Sequence, residues 1–358
     1  MLRSLLHPST LTALIAALLM LLMALFPAPV LESSLKGLSI WWEVLFPALF
    51  PFFVLSELML GLGIVHFAGR LLDPFMRPIF RIPGSGGFVL AMGFLSGYPV
   101  GARLTSQLWD QRLINRDEGE RLVAITTTSD PIFLIGAVSV GFFHHPAIAP
   151  LLAAAHYGGS IIVGLLMRFH GLRHTGGDTV QEGRKTQGRT RNPRGLASAL
   201  KAMHEARLLD GRPFSILIRD AIQSGLKLMV VVGGLVVLFS VIMELLRQTG
   251  GLVILEQLLG MLFQALGGSP ASAGAIMNGL FEVTLGAKTS SEAGVPLMHQ
   301  TALAAWVLSW AGLSVHAQVA SLLSHTGMRY RPFLIARFIH GLLAAALVYV
   351  LWGWIGPV

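Results

Sequence analysis

The chain has 358 residues, of which 54% are hydrophobic and 12% charged, and its mean hydropathy is +0.69. That balance lies far from the composition of a soluble domain and predicts an integral membrane protein. The net charge of +8 does not indicate a nucleic-acid partner, because the basic residues lie between apolar segments, where the positive-inside rule expects them. The absence of cysteine excludes disulfides, thiolate metal ligands and a catalytic thiol.

Seven segments are long and apolar enough to be transmembrane helices. They cover residues 11–29, 38–62, 122–143, 148–167, 222–246, 302–323 and 333–355. The first follows a basic residue, as a signal sequence does, but it is too long and has no clean small-residue cleavage site. We therefore predict an all-α polytopic membrane protein in which residues 1–36 contain an uncleaved first transmembrane helix.

Two further apolar segments, 87–108 and 271–294, are interrupted by Gly, Ser and Thr. Broken backbone is tolerated at membrane depth only where it is buried in protein or lines a wet cavity. We interpret both segments as re-entrant hairpins. Each follows a moderately apolar stretch, 65–82 or 252–266, and the sequence leaves open whether these stretches lie at the membrane interface or inside the protein.

Residues 171–215 form a linker rich in glycine and basic side chains. We expect a solvated cytoplasmic loop, and a binding patch for lipid head groups is the alternative. With the linker in the cytoplasm, and each hairpin returning to the side it entered from, nearly all the basic loop residues fall on the cytoplasmic side. The C-terminus then lies on the opposite side of the membrane.

An internal repeat is visible when the second half is shifted by 185 positions. Residues 101–107 (GARLTSQ) then align with residues 286–292 (GAKTSSE), which predicts two related repeats, 37–170 and 216–358. Each repeat contains three crossings, an odd number, so the second copy must be inverted in the membrane. Inverted repeats are typical of secondary transporters, which bind substrate and coupling ion near the midplane between discontinuous helices.

The centres of the hairpins are the first candidate substrate site. The residues are Ser96, Gly97, Tyr98, Pro99 and Gly101 in the first hairpin, and Asn278, Phe281, Glu282 and Thr284 in the second. Pro and Gly favour a break in the helix, although a kink packed on a neighbour is the simpler alternative for the first hairpin. A carboxylate inside a membrane, such as Glu282, is expected to carry a proton, bind a cation or contact the substrate.

Polar residues of the repeated motif extend this candidate site. Arg103 and Lys288 are suited to an anionic solute, but both are equally consistent with snorkelling towards the membrane surface. Thr105, Ser290 and Ser291 either line the same cavity or serve as helix caps and hydrogen bonds between helices.

A polar interruption follows each hairpin and predicts a broken helix. The residues are Thr127, Thr128, Ser129 and Asp130 in the first half, and Ser314, His316 and Gln318 in the second. Hydroxyls, freed carbonyls and a carboxylate suit a coupling Na⁺ or H⁺, whereas a capped kink is the alternative. No other cofactor is expected. Neither metal-ligand spacing of the HExxH type nor a GxSxG elbow is present, so we do not expect an enzyme.

Several longer motifs resemble a known family. They are LFPALFPFFVLSE at 45–57, PGSGG at 83–87, SGYPVGA at 96–102, TSDP at 128–131 and SVHAQ at 314–318. From about residue 37 to the C-terminus the chain resembles the YlbJ (SpoVV) family of sporulation integral membrane proteins. That family carries nucleoside-recognition (gate) domains and is similar to concentrative nucleoside transporters.

The resemblance implies a transporter for dipicolinate, a flat aromatic dianion, from the mother cell across the outer forespore membrane. Hairpin N–H groups, hydroxyls and Arg103 or Lys288 would suit its carboxylates, and Tyr98 or Phe281 would suit its ring. The expected partners are this solute and membrane lipid. The sequence leaves open whether the chain forms a homo-oligomer. The alternatives are a nucleoside or nucleobase transporter and a scaffold without transport activity that recruits sporulation proteins through the basic linker.

Overall fold

The structure is a computed structural model that describes residues 8–171, 195–265 and 267–357. Every regular element in these ranges is helical, which confirms the all-α prediction. The α-helices in chain order are α1 (Pro8–Leu25), α2 (Pro27–Ser39), α3 (Phe46–Gly61), α4 (Ile64–Phe80), α5 (Ser85–Ser96), α6 (Tyr98–Asp110), α7 (Arg116–Thr126), α8 (Ala149–Met167), α9 (Leu196–Asp210), α10 (Phe214–Gln248), α11 (Gly251–Ala265), α12 (Ala273–Phe281), α13 (Val283–Ser291), α14 (Leu297–Trp310), α15 (Gly312–Leu323) and α16 (Tyr330–Ile355). Two π-helical segments, Ile40–Leu45 and Ile132–Phe142, and two 3₁₀ turns, Pro146–Ile148 and Pro270–Ser272, lie between them.

The number of membrane-spanning helices in the described ranges is smaller than the seven predicted. Four segments are long and apolar enough to span a bilayer, namely Pro146–Met167, Phe214–Gln248, Leu297–Leu323 and Tyr330–Ile355. Two bent pairs raise the number to six if each is one span: Thr10–Leu25 with Pro27–Glu43, at 105°, and Leu49–Gly61 with Ile64–Phe80, at 82°. The predicted segment 122–143 is missing from this set because its backbone leaves the helix between Thr126 and Pro131.

The first helical hairpin consists of α5 and α6. A Cβ atom added to Gly93 would lie 2.7 Å from the carbonyl oxygen of Thr126, and one added to Gly101 would lie 2.6 Å from its hydroxyl. In a continuous helix those two glycines would be about 12 Å apart. The chain therefore reverses between them, at Gly97, which has a φ of +85°.

The second helical hairpin consists of α12 and α13. The Asn278 side-chain amide donates to the Thr289 hydroxyl at 3.3 Å, although the two residues are 11 positions apart in the chain. The chain reverses at Glu282, whose backbone is extended (φ −142°, ψ 127°). Both hairpins predicted from the sequence are thus present as helical hairpins.

The linker prediction is corrected in part. Residues 172–194 lie outside the described ranges, but residues 196–210, expected to belong to a loop, form α9 and pack against α4. A Cβ atom at Gly63 would lie 2.6 Å from the carbonyl oxygen of Met203, which shows how closely α9 approaches. The helix forms because this stretch has good helix formers and neither Gly nor Pro before Gly211, which ends it with a φ of +65°.

The two halves are joined by a shared cluster of buried hydrophobic side chains. One cluster of buried side chains joins Tyr98 and Ala102 of the first hairpin to Val283 and Ala287 of the second. In addition, α6 packs against α15, and α13 packs against the π-helical segment Ile132–Phe142. Each hairpin therefore contacts a segment of the opposite half: α6 contacts the helix that contains the second polar run, and α13 contacts the segment that follows the first.

Candidate functional site

The first hairpin tip lies against the first break. Residues 127–130 are not helical, as the sequence predicted, and the Asp130 carboxylate accepts a hydrogen bond from the Phe133 amide at 2.8 Å. A Cβ atom at Gly97 would lie 3.1 Å from the other carboxylate oxygen of Asp130. The tip and the unwound segment of this half thus meet directly.

The second hairpin tip lies against the second break in the same way. The Glu282 carboxylate accepts from the Leu285 amide at 2.7 Å and so caps the N-terminus of α13. A Cβ atom at Gly312 would lie 3.0 Å from the carbonyl oxygen of Phe281 and 3.1 Å from the backbone of Glu282. This half also brings its tip and its broken helix together.

The position of the second break is a correction to the sequence analysis. Ser314, His316 and Gln318 were expected to mark it, but they lie buried within the regular helix α15. The backbone breaks instead at Ala311 and Gly312, whose φ values are +77° and +76°. The left-handed conformation ends a helix, whereas polar side chains do not need to if they find partners.

His316 illustrates this distinction. Its Nδ1 lies 2.6 Å from the Tyr330 hydroxyl, and its Nε2 lies 3.0 Å from the carbonyl oxygen of Trp310, the last residue of α14. The imidazole therefore binds a carbonyl that the break leaves without a helical partner. The polar side chain accompanies the break without being the position where the backbone turns.

The two hairpins repeat each other in detail. The tip residues Gly97 and Glu282 are 185 positions apart, the offset that aligned the two sequence motifs. Thr105 and Ser290, which are also 185 apart, each donate at 2.7 Å to the carbonyl four residues earlier. Both hydroxyls are fully buried, so in this structure they serve the helices themselves.

The first tip is closed in by protein. Tyr98 donates its hydroxyl hydrogen to the carbonyl of Leu308 at 2.8 Å, and Pro99 lies in the first turn of α6 instead of kinking a helix. Gly101 is packed on Thr126. Ser96 is fully buried, and its hydroxyl has no hydrogen-bond partner among the described residues.

The second tip also keeps an unpartnered polar atom. Asn278 is buried, and its amide nitrogen donates to the carbonyl of Gly274 at 2.9 Å, yet its Oδ1 has no partner in the described part of the chain. Phe281 and Thr284, on either side of Glu282, are partly exposed. Each hairpin therefore holds a buried oxygen at or one turn before its tip with hydrogen-bonding capacity to spare.

Thr127, Thr128 and Ser129 of the first break are fully buried and bonded to the protein, whereas Asp130 is partly exposed. Thr127 donates to the carbonyl of Val123 at 2.8 Å, and Thr128 is 3.5 Å from the carbonyl of Gly93. The backbone amide of Ser129 donates to Nε2 of His156 at 2.9 Å. The segment is thus held in one defined conformation.

A buried arginine that sequence analysis missed binds this break. Arg337 on α16 has no exposed surface, and its guanidinium donates to the carbonyls of Ala124 and Thr127. It also lies 3.5 Å from the carbonyl of Ser309 in α14. No described carboxylate forms an ion pair with it, so its positive charge is balanced by carbonyl dipoles from both halves.

Two buried histidines complete the network. His156 lies on α8, where its Nε2 accepts from the amide of Ser129 and its Nδ1 contacts the Ser309 hydroxyl at 2.9 Å. His340 contacts Arg337 through Nδ1 at 3.0 Å and the carbonyl of His156 through Nε2 at 2.7 Å. Both rings use one nitrogen as acceptor and one as donor, the pattern of neutral imidazoles.

The signal that would have found these three residues was present in the sequence. His156, Arg337 and His340 lie inside the apolar segments 148–167 and 333–355. An ionisable side chain within such a segment is rare and is by default a functional hypothesis.

Three predicted site residues lie away from the tips. Arg103 lies six residues beyond Gly97, about 9 Å along α6, and contacts Glu57 at 3.4 Å and Ser224 at 2.9 Å. Lys288 is exposed, about 9 Å along α13 from Glu282. Ser291 is partly exposed, and its hydroxyl donates to the carbonyl of Lys288 at 2.7 Å. The structure therefore does not bring either cation of the repeated motif to a hairpin tip.

One group of side chains in the described ranges has the composition of a metal site, namely Asp117, Glu120 and His170. Arg329 occupies it, with its guanidinium 2.9 Å from Glu120 and 3.2 Å from Asp117. His170 lies 2.5 Å from Glu120. The group is an ion-pair network that ties the start of α16 to α7.

The fold is that of an all-α membrane protein in which two helical hairpins each lie beside a discontinuous helix. The model of the nucleoside-recognition (gate) family matches residues 42–160 and 229–329, which contain both hairpins and both breaks, and the chain belongs to this family. It is similar to the sporulation integral membrane protein YlbJ of Bacillus subtilis (strain 168), with 44% identity over 348 residues, which cover 95% of this chain and 83% of that protein. No solved structure matches the chain significantly. The protein is thus an integral membrane protein.

Proposed function

We propose that the protein is a secondary-type carrier for a small polar anion. The observation that carries the proposal is the reciprocal packing of the two halves, in which each hairpin lies between its own broken helix and the helix that follows the break in the other half. Discontinuous helices that meet within a membrane are where secondary transporters bind substrate and coupling ion.

The two tips differ in the ligand that they suit. The N-terminus of α13 is already capped by the carboxylate of Glu282, whereas α6 begins after Gly97 with no side-chain cap. Pro99 has no N–H, and the Val100 amide donates to the Gly97 carbonyl at 3.3 Å, so the feature that favours an anion here is the positive end of the helix dipole without a carboxylate cap. Arg337 adds a buried positive charge at the adjacent break. We assign the anion to the first tip, and the coupling cation or proton to Glu282.

For the solute we propose dipicolinate, exported from the mother cell across the outer forespore membrane. The similarity to a sporulation protein supports this choice, and two carboxylates on a flat ring suit helix N–H groups and hydroxyls. A nucleoside is the second candidate, supported by the description of the family as one of nucleoside recognition.

One flux experiment separates these candidates. Purified full-length protein in proteoliposomes should take up radiolabelled dipicolinate above empty vesicles and in preference to adenosine. Glu282→Gln and Asp130→Asn should each lower uptake at least ~10-fold, because each removes a carboxylate placed at a helix break. Glu205→Gln, at a side chain 60% exposed on α9, is the control and should transport normally.

The outcomes are distinct. A preference for adenosine would show that the solute is a nucleoside and not dipicolinate. If folded protein transports neither compound, the proposal that it is a carrier is wrong. A scaffold acting through the basic linker would lose function when the arginines at 184, 189, 191 and 194 are neutralised, whereas a carrier would keep its flux.

Topology is part of the proposal, with the linker in the cytoplasm and the C-terminus opposite. The chain has no cysteine, so a label on a single introduced cysteine reports the position of that residue alone. Lys201→Cys should react with an impermeant maleimide only from the cytoplasmic side, and Pro357→Cys only from the other. Labelling of both from the same side would overturn this topology.

A further inference from the structure

A second polar cluster lies away from the hairpin tips, where α3, α6 and α10 meet. Its centre is Oε1 of Glu57, which accepts hydrogen bonds from the Gln107 amide at 2.6 Å and from the Ser224 hydroxyl at 2.6 Å. The guanidinium of Arg103 is its third partner, at 3.4 Å. Three polar side chains from α6 and α10 thus converge on one carboxylate oxygen of α3.

The hydrogen bonding of this cluster is incomplete. The Nε of Arg103 and the Oε1 of Gln107 are buried without a partner among the described residues. Arg–carboxylate pairs usually form two short bonds of about 2.8 Å, whereas Arg103 reaches Glu57 through a single contact at 3.4 Å. The guanidinium keeps unused capacity to bind a second carboxylate.

An open cavity leads to the cluster. It has a volume of about 560 Å³, and its wall includes His66, Gln111, Asp210, Arg212 and Asp220. That volume falls in the range of small-molecule sites. Beside Arg103 lies a separate space of about 10 Å³, enough for one water. Glu57 and Ser224 line both spaces, so they form the partition between the open cavity and Arg103.

We infer that Glu57 and Arg103 form a proton-dependent entry site for the carboxylate of the transported anion. One proton from the cavity binds the Glu57 carboxylate, which gives up its contact with Arg103, and a solute carboxylate then takes its place on the guanidinium. No covalent bond other than the O–H bond forms. The inference rests on the proposed function only in taking the solute to be an anion.

Charge balance is the physical reason for the coupling. The Glu57–Arg103 pair is neutral, and it stays neutral if one proton and one carboxylate enter together. Entry of the carboxylate alone would leave an uncompensated negative charge in a partly buried place, which is costly.

The other charged groups facing Glu57 across the cavity do not provide the same exchange. Arg212 is held by Asp210 at 2.7 Å and by Asp220 at 3.0 Å. The hydrogen bonds from Arg212 keep the pKa of Asp210 below its ordinary value, so Asp210 does not take up a proton near neutrality. Asp220, which is paired with Arg212, and His66 on α4 are the other titratable groups in the wall.

Calorimetry on the detergent-solubilised full chain tests the inference. Dipicolinate is titrated at pH 7 in two buffers with different ionisation enthalpies, which measures the protons taken up per bound anion. The wild type should take up about one proton per bound dipicolinate. Glu57→Gln should still bind dipicolinate but take up almost no proton. Arg103→Gln should weaken binding at least ~10-fold, as expected for the loss of a charged partner. Glu57→Asp, which keeps the carboxylate, should retain the uptake, and Glu205→Gln should behave as wild type.

Binding without proton uptake, uptake unchanged in folded Glu57→Gln, or no binding would each overturn the inference. The flux assay separates it from the proposed function. Uptake of a proton with binding but no flux would reject the carrier and keep the entry site, whereas flux without proton uptake would reject the entry site and keep the carrier.

Discussion

Tyr98 donates its hydroxyl hydrogen to the carbonyl oxygen of Leu308 across 2.8 Å of buried space. Leu308 lies in the last turn of α14, which ends at Trp310, and the final four carbonyls of a helix have no partner within it. The tip of the first hairpin thus satisfies an acceptor exposed by the break in the second half. The two discontinuities of the protein stabilise each other.

Removal of this hydroxyl should therefore destabilise the protein as a whole. Tyr98→Phe leaves the Leu308 carbonyl buried and unpaired, at a cost of about 1–3 kcal/mol, and should lower the thermal unfolding midpoint in detergent. The control is Tyr349→Phe, whose hydroxyl contacts His299 at 2.8 Å at an exposed position. If the unfolding midpoint falls by the same amount in both variants, the Tyr98 contact has no special role in stability.

Arg337 should not be replaceable by lysine. A lysine keeps the charge but lacks the planar fork that reaches the carbonyls of Ala124 and Thr127 together. Arg337→Lys should cost about 1–3 kcal/mol for each carbonyl left unsatisfied, measured as a lower unfolding midpoint. Arg331→Lys, at an exposed position on the same helix, should have almost no effect, and unchanged stability of Arg337→Lys would refute the proposed geometry.

The second hairpin depends on close contact between its arms. A Cβ atom at Gly286 would lie 2.3 Å from the Cα of Gly279, closer than any two such atoms approach, so Gly286→Ala must push α12 and α13 apart. We expect a loss of about 1–3 kcal/mol and reduced flux. Gly274→Ala meets its nearest neighbours at 3.8 Å and should be tolerated. If Gly286→Ala is as stable as Gly274→Ala, the arms are not in contact.

The Glu120–Arg329 network predicts how stability depends on pH. Burial raises the pKa of the Glu120 carboxyl, but hydrogen bonds from Arg329 and His170 outweigh it, so the pKa lies below its ordinary value. A carboxyl with a lowered pKa stabilises the fold above its unfolded pKa, near 4.3, and this contribution disappears as the pH falls through the folded value.

The unfolding midpoint of the wild type should accordingly drop between about pH 5 and pH 3. Glu120→Gln should start from a lower midpoint and lose less over this range, while Glu205→Gln, at an exposed pair with Lys201, should follow the wild type. The same pH dependence in Glu120→Gln and in the wild type would show that another group is responsible.

Most of the architecture was predictable because the membrane imposes strong local rules. Apolar length, the Gly, Ser and Thr interruptions at 87–108 and 271–294 and the polar interruption at 127–130 predicted most of the long helices, both hairpins and the first break. The predicted number of spans was too high, and α9 was not predicted. The second break was misplaced, since the polar run at 314–318 is a signal in side chains, whereas the break itself depends on backbone conformation at Ala311 and Gly312.

Burial in lipid restricts length, polarity and backbone breaks along the chain, so an all-α membrane protein with a repeated, interrupted helical hairpin could be predicted from the sequence. Which polar groups meet could not be predicted in this way. In the folded protein Arg103 contacts Glu57 and does not reach a hairpin tip. Arg337 binds the carbonyls of Thr127 and Ala124, which are more than 200 positions away in the chain. Such contacts between distant segments follow from how the two halves pack, and no local pattern records that packing.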